Sequence, residues 1–208
     1  MDRPRKPIVS IEGSFRSDCY YVARQLSYFI DNSCSLNDCL DRNKSALGDI
    51  VSEALRGGIE LQDLVLYHLR SANLWEYQEK FKLMSENGIT ILIMDYVLLN
   101  RARLMQRPNV SFDVCPQLDA GLIQPDLQIY LKNELSDFIP LNKDEDELES
   151  YQKLNQAFNK LVDLNPEIQV VDVNPHDSQK AANEVLSLYN STTSNNPLGV
   201  LKYYDGII

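Results

Sequence analysis

Several features that mark common functional classes are missing from this sequence. No apolar run is long enough to cross a bilayer, and the opening residues Met1–Lys6 are polar, unlike a secretory signal. Only two histidines occur and the four cysteines form no CxxC pair, so the spacing typical of a zinc site is lacking. We therefore expect an intracellular protein, cytoplasmic or nuclear, with free thiols, no metal and no membrane attachment.

Positive charge is also scarce. The 208 residues include 30 acidic and 20 basic side chains, which gives a formal net charge of −10. Because nucleic-acid binding depends on Lys and Arg neutralising phosphates, this balance argues against direct binding of DNA or RNA. The length suits one domain, which we place at residues 1–190, followed by a polar-to-apolar tail at residues 191–208.

Short apolar segments alternate with longer amphipathic ones along the chain. The apolar segments predict buried strands at Ile8–Ile11, Thr90–Met94, Leu127–Leu131 and Ile168–Val173. The amphipathic segments predict helices at Val22–Ile30, Ala46–Leu55, Leu61–Glu86, Ser150–Leu164 and Asp177–Tyr189. The charged run Lys143–Glu149 predicts a solvated loop before the fourth of these helices. Strands that alternate with helices indicate an α/β fold of three layers, with a central parallel sheet flanked by helices.

The segment after the first predicted strand lies where a phosphate-binding loop belongs but lacks the chemistry of one. A P-loop joins a strand to a helix and ends in Gly-Lys-Ser/Thr, whose lysine reaches phosphate and whose hydroxyl binds Mg²⁺. Gly13 remains in the turn, but the three final positions hold Asp18, Cys19 and Tyr20. Asp18 adds a negative charge, Cys19 supplies no cation and Tyr20 is too bulky to be a metal ligand. We interpret Cys19 as structural, because Asp18 opposes formation of a thiolate.

Three segments resemble thymidylate kinases of the eukaryotic and poxviral type. The segment His68–Glu76 resembles the family's Leu-Leu-Phe-Ser-Ala-Asn-Arg-Trp-Glu, and Gly88–Val97 resembles the strand that ends in Asp-Arg-Tyr. Without a gap, Phe112–Leu127 resembles Asp-Trp-Cys-x-Gln-Pro-Asp-x-Gly-Leu-x-x-Pro-Asp-Leu. The resemblance covers residues 7–190 and implies a P-loop-kinase-like fold.

The residues that family members use for binding and catalysis are the ones that differ here. The resemblance implies that Arg70 replaces the aromatic ring that stacks on thymine, and that Leu74 replaces an arginine that holds the nucleotide. Asp95 is followed by Tyr96 where the family has arginine near the transferring phosphate, and Phe15 replaces an acidic residue. The chain therefore resembles a degenerate member of the family.

Two basic positions of the family's site are retained. Arg16 is one, and Arg42 matches, on a loose alignment, an arginine that contacts the nucleotide phosphate. The family's lid over ATP is basic, whereas the matching Asp144–Glu147 is acidic. We expect no catalytic residue and no cofactor. The predicted vestigial nucleotide site consists of Gly13, Phe15, Arg16, Asp18, Cys19, Tyr20, Arg42, Arg70, Leu74 and Asp95.

These losses lead us to expect a catalytically inactive pseudoenzyme that acts as a protein–protein interaction module or as a subunit of a complex. Phosphoryl transfer depends on positioning and on neutralising phosphate charge, so the loss of several cations removes many orders of magnitude of rate. The alternative is a nucleotide-binding or weakly active nucleoside monophosphate kinase with altered specificity. In that case Arg16, Arg42, Arg70, Arg101 and Arg103 would form a rebuilt anion site. A third possibility is an inactive partner that regulates an active kinase.

The resemblance also implies a protein partner. Thymidylate kinases are homodimers through a helical face, so we expect a homodimer or a heterodimer through the corresponding face. The candidate interface residues are Leu66, Leu69, Trp75, Tyr203, Tyr204 and Ile207. For those on the predicted helix Leu61–Glu86, the competing interpretation is ordinary core packing. For those in the tail, docking onto a partner and folding back onto the domain are both open.

Overall fold

The computed structural model of the protein describes residues 4–36, 45–107, 114–133, 145–174, 177–194 and 198–205. Of the residues assigned to the predicted site, lid and interface, Arg42, Asp144 and Ile207 lie outside these ranges. The strands are β1 (Ile8–Gly13), β2 (Ser33–Leu36), β3 (Thr90–Met94), β4 (Ile123–Gln124), β5 (Leu127–Asn133), β6 (Gln169–Val173) and β7 (Lys202–Tyr203). The helices are α1 (Arg16–Phe29), α2 (Ala46–Leu55), α3 (Asp63–Trp75), α4 (Gln78–Glu86), α5 (Val97–Met105), α6 (Val114–Asp119), α7 (Glu145–Leu164) and α8 (Ser178–Ser194).

A five-stranded parallel sheet with the order β2-β3-β1-β5-β6 forms the centre of the fold. The four predicted strands are all present and lie side by side, and β1 is buried along its whole length. The edge strand β2 was not predicted. Its sequence, Ser-Cys-Ser-Leu, contains no apolar run, and its partial burial at the sheet edge requires none.

Helices cover both faces of the sheet. Alternate strand residues point to opposite sides, and apolar side chains on each side pack against helices. On one side Ile11 packs with Leu26 of α1 and Val185 of α8. On the other side Ile8 packs with Phe81 of α4. Helices α5 and α7 cover the β5 part of that second side, in a cluster centred on Tyr130. The predicted three-layer α/β architecture is confirmed.

The long helix predicted at Leu61–Glu86 was wrong, because α3 and α4 are separate helices. After Trp75 the backbone N–H groups of Glu76 and Tyr77 donate to the carbonyls of Asn73 and Leu74, both at 3.2 Å. Donor and acceptor are three residues apart in each case, as in the tighter 3₁₀ turn, and not four as in an α-helix. The Gln78 side-chain amide also donates to the Leu74 carbonyl at 2.7 Å. A side chain thus takes the acceptor that a continuous α-helix reserves for its backbone.

Other helix boundaries also differ from the prediction. Helix α1 begins at Arg16, six residues before the predicted start at Val22, so it includes the P-loop positions. Helix α7 begins at Glu145, inside the charged run that was predicted to be a loop. Acidic residues in the first turn of a helix are favoured by its positive end, so this run suits a helix start.

The tail is held against the domain as far as Asp205. Strand β7 pairs antiparallel with β4, where Tyr203 lies opposite Ile123. The Gly121 N–H donates to the Tyr204 carbonyl at 2.8 Å, and the Tyr204 N–H donates to the Leu122 carbonyl at 2.9 Å. Residues 198–205 therefore fold back onto the chain. Within the ranges given above, no helix combines the length and apolar character needed to span a membrane.

Candidate functional site

The first residues of the predicted vestigial site lie at the turn between β1 and α1. At Gly13 a side chain would collide with the neighbouring strand, because a Cβ atom built there lies 2.8 Å from the Leu131 carbonyl oxygen. Close packing of β1 against β5 therefore requires this glycine, whether or not a phosphate approaches.

The amino-terminal end of α1 already faces a carboxylate. Asp18 lies in the first turn of the helix, and its Oδ2 accepts a hydrogen bond of 2.7 Å from the Asn133 side chain at the end of β5. Burial raises the pKa of Asp18, while the hydrogen bond from Asn133 opposes that rise. A helix amino terminus normally attracts anions. Here the carboxylate of the chain itself lies at that position.

The two remaining P-loop substitutions have different surroundings. Cys19 is fully buried in the core between α1 and the sheet. Burial raises the pKa of its thiol well above the usual range, and Asp95, Glu12 and Asp18 raise it further. The thiol therefore remains neutral. Tyr20, by contrast, is half exposed on the outer side of α1, so its hydroxyl does not face the turn as a metal-binding hydroxyl would.

The turn itself is packed against α7. The Phe15 ring stacks on Tyr151, with 4.6 Å between the ring centroids and 23° between the ring planes. The Ser14 hydroxyl donates to the side-chain oxygen of Asn155, which also accepts from the Tyr130 hydroxyl at 3.4 Å. Side chains of α7 thus contact two residues of the turn. Sequence reasoning did not identify Ser14, Tyr151 or Asn155, because no local pattern links them.

The retained arginine of the site faces an acidic partner. Arg16 Nε lies 3.3 Å from Asp95 Oδ2, at the end of β3. Asp95 has a φ of +56°, in the left-handed region that residues with a side chain seldom adopt. With this backbone conformation, the Asp95 carboxylate faces the Arg16 side chain at the β1–α1 turn. The structure therefore brings Phe15, Arg16, Asp18, Cys19 and Asp95 together around one turn.

A buried acid that the sequence analysis did not select completes this region. Glu12, at the end of β1, is fully buried and accepts backbone hydrogen bonds from Leu98 at 3.4 Å and Leu99 at 2.8 Å. Burial, with a smaller contribution from Asp95, raises its pKa to about 7, although the two backbone N–H groups oppose this. Glu12 binds the first turn of α5. The sequence did contain a signal for this residue, because Glu12 is a single acidic residue near the end of an apolar strand.

The predicted residues Arg70 and Leu74 lie in a second region, between α3 and its neighbours. Arg70 is only 1 % exposed, and its Nε donates to Asn100 Oδ1 of α5 at 2.6 Å. Leu74 points into the core and packs in the cluster that contains Ile91 and Phe81. Neither residue lies among the groups that surround Phe15 and Asp18. The structure thus separates the predicted site residues into two groups.

Asn100, the hydrogen-bond partner of Arg70, borders a small cavity. The cavity is also lined by Tyr67, Ser71 and Asp119, among others, and its volume is only about 10 Å³, which is about the space needed by one water molecule. Arg101 Nε lies 2.7 Å from Asp119 Oδ2 at the wall of this cavity. Burial raises the pKa of Asp119 to about 6, and the pairing with Arg101 limits the rise.

The candidate interface residues on α3 differ in exposure. Leu66 is buried against Val51 of α2, and Leu69 packs partly onto the same pair, so both join helices of this chain. Trp75 is 47 % exposed, and its ring lies so close to Gly121 that a Cβ there would approach within 2.7 Å. Gly121 also has a φ of +85°. The exposed apolar side chains of these two helices are Ile50, Leu64, Val65 and Trp75, which we call the α2–α3 face.

The candidate interface residues of the tail and the possible metal ligands can also be placed. Tyr203 is 49 % exposed, whereas the Tyr204 hydroxyl donates to Gln128 and its ring lies 5.0 Å from the Arg101 guanidinium. In the part of the chain that the structure describes, no three His, Cys, Asp or Glu side chains are grouped so that they could hold a metal ion.

Similarity to proteins of known sequence gives the relationship of the chain. No protein-family model matches it. It is 32 % identical to the thymidylate kinase of Homo sapiens over 91 residues, which are 44 % of this chain and 43 % of that protein. It is 30 % identical to the thymidylate kinase of Danio rerio over 116 residues, 56 % of this chain and 53 % of that protein. The chain is thymidylate-kinase-like.

A viral protein shows the same relationship. The putative thymidylate kinase 251L of Invertebrate iridescent virus 6 is 28 % identical over 121 residues, which are 56 % of each chain. In these alignments the thymidylate-kinase-like chain spans about half the length of the curated relatives that it matches. The resemblance inferred from the three sequence segments is confirmed.

Solved structures confirm the fold of this thymidylate-kinase-like chain over a greater length. The thymidylate kinase of Candida albicans superposes with a TM-score of 0.81 at 21 % identity, covering 97 % of this chain and 99 % of that one. The thymidylate kinase of Ehrlichia chaffeensis superposes with a TM-score of 0.66 at 16 % identity, covering 89 % and 99 %. At these identities the similarity demonstrates a common fold.

Proposed function

We propose that this thymidylate-kinase-like protein is a pseudoenzyme that serves as a protein–protein interaction module or as a subunit of a complex. The observation that carries the proposal is that the β1–α1 turn is packed against α7 and has a carboxylate at the amino terminus of α1. Phe15 and Ser14 of this turn contact Tyr151 and Asn155 of α7. Asp18 places a carboxylate at the amino terminus of α1. A phosphate would have to displace these contacts with α7 and approach the Asp18 carboxylate.

Electrostatics at the turn also support the proposal. Three acids, Glu12, Asp18 and Asp95, surround Cys19 closely enough to raise the pKa of its thiol. Arg16 is the cation of the turn, and it already lies against Asp95. Each charge-assisted hydrogen bond that is lost costs a ligand about 1.5–3 kcal/mol. Polyphosphate binding at this turn should therefore be weak. Phosphoryl transfer requires still stronger charge neutralisation, so its rate should be lower still.

The region of Arg70 supports the same conclusion through lack of space. The relatives carry the name thymidylate kinase, which implies a nucleoside monophosphate as substrate. In this chain the position that the resemblance assigns to thymine stacking is a buried arginine bonded to Asn100, beside a cavity of about 10 Å³. A nucleotide could enter only if α3 and α5 moved apart and the Arg70–Asn100 hydrogen bond broke.

The α2–α3 face supports an interaction role. Ile50, Leu64 and Val65 are between 40 % and 45 % exposed, on helices that pack together through Val51 and Leu66. Apolar and aromatic side chains are typical of the buried centre of a protein interface. We propose that a protein partner, either a second copy or a different chain, covers this face.

The nucleotide part of the proposal is tested by calorimetry with the full chain. ATP with Mg²⁺, and separately dTMP, should give no saturable heat up to millimolar concentration. Saturable binding with a Kd below about 100 µM, equivalent to more than 5 kcal/mol of binding free energy, would overturn this part. It would favour the alternative of a nucleotide-binding protein with altered specificity.

The interaction part is tested by a matched pair of variants. Val65→Asp on α3 and Leu83→Asp on α4 introduce the same charge at positions with exposures of 45 % and 49 %. A charge in a desolvated interface costs several kcal/mol, so Val65→Asp should abolish association. Leu83→Asp should not. The readouts are mass by light scattering and recovery of partners by pull-down from native cells. Equal behaviour of wild type and both variants would contradict a partner on the α2–α3 face.

A further inference from the structure

A row of alternating tyrosine and arginine lies along the outer side of α1. Tyr20, Arg24 and Tyr28 follow one another at intervals of four residues, so they share one face of the helix. Tyr20 is 47 % exposed and Tyr28 is 68 % exposed, and Arg24 is exposed between them. At 1.5 Å per residue this row extends over about 12 Å. We call these three side chains the α1 row.

Contacts within the α1 row hold its arginine beside the two tyrosines. Arg24 Nε donates to the Tyr28 hydroxyl at 3.3 Å. This hydrogen bond, followed by the electrostatic effects of Tyr28 and Tyr20, raises the pKa of Arg24, so the guanidinium stays charged. Among the ion pairs of the described residues, none involves Arg24. The positive charge of the row is therefore available to a partner.

No carboxylate of α1 lies on this face of the helix. The helix contains a single acidic residue, Asp18, whose Oδ2 accepts a hydrogen bond from Asn133 at the end of β5. The opposite side of the helix is the core side, where Val22 and Leu26 pack against the sheet. The α1 row is thus a locally positive surface on a chain whose net charge is −10.

A carboxylate fits this surface better than a nucleic acid or a second copy of the chain. The planar guanidinium fork matches a carboxylate and binds it bidentately. Tyrosine and arginine are also enriched among the residues that contribute most to protein interfaces. Nucleic-acid binding draws on many cations, which one arginine in an acidic chain does not supply. A two-fold contact between copies would set the row against itself, so Arg24 would meet another arginine and no carboxylate.

We propose that the α1 row is a docking surface for an acidic segment of a different protein. An Asp or Glu carboxylate of that segment pairs with the Arg24 guanidinium, while the rings of Tyr20 and Tyr28 pack beside the pair and exclude water from it. Exclusion of water strengthens such a hydrogen bond. Helix α1 and Leu74 of α3 lie on opposite faces of the sheet, so this surface is separate from the α2–α3 face. Either surface can therefore be tested without the other.

Fluorescence anisotropy with the full chain tests the proposal. The probe is a labelled helical peptide with glutamate along one face and alanine elsewhere. The wild type should bind it saturably, with an affinity that falls as salt is raised. Arg24→Glu should weaken binding by about tenfold or more. Lys80→Glu makes the same charge reversal at an exposed position of α4, on the other side of the sheet, and should bind like the wild type.

The other outcomes of this titration count against the proposal. Equal binding by the wild type and Arg24→Glu, or no saturable binding by the wild type, would overturn it, provided that an unchanged Tm shows the variant to be folded. A peptide with glutamine in place of glutamate that binds equally well would show that no carboxylate is recognised. A single-stranded oligothymidylate that binds more tightly than the peptide, and depends on Arg24, would show that the row accepts nucleic acid instead.

Photo-cross-linking tests the chemistry of the natural occupant. In a Tyr28→p-benzoylphenylalanine variant, irradiation of native cells should join α1 to a peptide of another protein, and that peptide should be rich in Asp and Glu. Addition of Arg24→Glu should remove the cross-link, whereas addition of Lys80→Glu should leave it intact. A cross-link to a segment without acidic residues, or to a second copy of this chain, would refute the proposal.

Discussion

The β1–α1 turn and the region around Arg70 differ in the physical obstacle that each would present to a nucleotide. At the turn, three acids lie close enough to raise the pKa of the Cys19 thiol and Phe15 stacks on Tyr151, so an anion would meet like charge there. Around Arg70 a cation is present, but it donates to Asn100, which also lines a cavity of only about 10 Å³. Under the proposed function, charge is the main obstacle at the first region and lack of space is the main obstacle at the second. We therefore expect that repairing one region would not repair the other.

The largest stability effect should come from the filled region. Arg70→Ala deletes a fully buried side chain, leaves Asn100 Oδ1 without its donor and opens a cavity, so it should lower the free energy of unfolding by about 3–5 kcal/mol. Arg107→Ala, two residues after the end of α5, removes a half-exposed ion pair with Asp63 and a contact with Tyr67, and should change it by about 1 kcal/mol or less. The measurement is urea denaturation. Equal, small effects would show that the Arg70 contact contributes little.

Glu12 should give the turn region a distinct pH dependence. Its folded-state pKa of about 7 exceeds the ordinary 4.5, so the protonated form is favoured by folding. The associated stability is present below pH 4.5 and is lost as the pH rises to 7, by about 3 kcal/mol in total. In Glu12→Gln this decline should disappear, so the difference from wild type should change between pH 4.5 and 7. A difference that is constant with pH would contradict a raised pKa.

Gly13 should be indispensable for packing. Gly13→Ala places a methyl group 2.8 Å from the Leu131 carbonyl, so β1 and β5 must move apart, at a cost of about 1–3 kcal/mol. Gly199→Ala is the matched control, because a Cβ built there meets nothing within 4 Å. Thermal unfolding of both variants provides the comparison. Similar Tm values would show that the turn tolerates more volume than the structure indicates.

Restoring the P-loop residues alone should have no effect on activity. In the triple variant Asp18→Gly, Cys19→Lys and Tyr20→Ser, the turn regains the family's chemistry, but Arg70 still fills the second region. We expect no phosphorylation of dTMP in a coupled assay at millimolar ATP. Adding Arg70→Phe to the triple variant changes the second region as well, and so tests whether both regions must be changed. Activity in the triple variant itself would show that charge at the turn is the sole barrier.

The smallest effect should come from Arg16. Its side chain is 59 % exposed, and a surface ion pair with Asp95 contributes at most about 1 kcal/mol. If no phosphate requires it, Arg16→Ala together with Arg42→Ala should leave the cellular role intact. Loss of that role in a variant that remains folded, as judged by an unchanged Tm, would indicate an anion ligand after all.

Elements with a strong local pattern were predictable from the sequence. The apolar runs of β1, β3, β5 and β6 specify buried strands because both faces of the sheet are covered. The alternation of strands and helices then leaves few arrangements, and the three matching segments identified the related proteins. The sequence also shows directly that Asp18, Cys19 and Tyr20 stand where a P-loop would have Gly-Lys-Ser/Thr. The polar edge strand β2 and the break before Gln78 carried no such pattern.

Only the tertiary structure decided which distant side chains surround the predicted site residues. Tyr151 and Asn155 of α7 meet Phe15 and Ser14 across more than 130 positions of the chain, and no local pattern encodes such a contact. Likewise, the sequence placed Arg70 at a binding position, but burial and the hydrogen bond to Asn100 turned it into a filling residue. Local patterns determine elements because their causes are local. Occupancy of a site depends on which distant side chains the packing brings together.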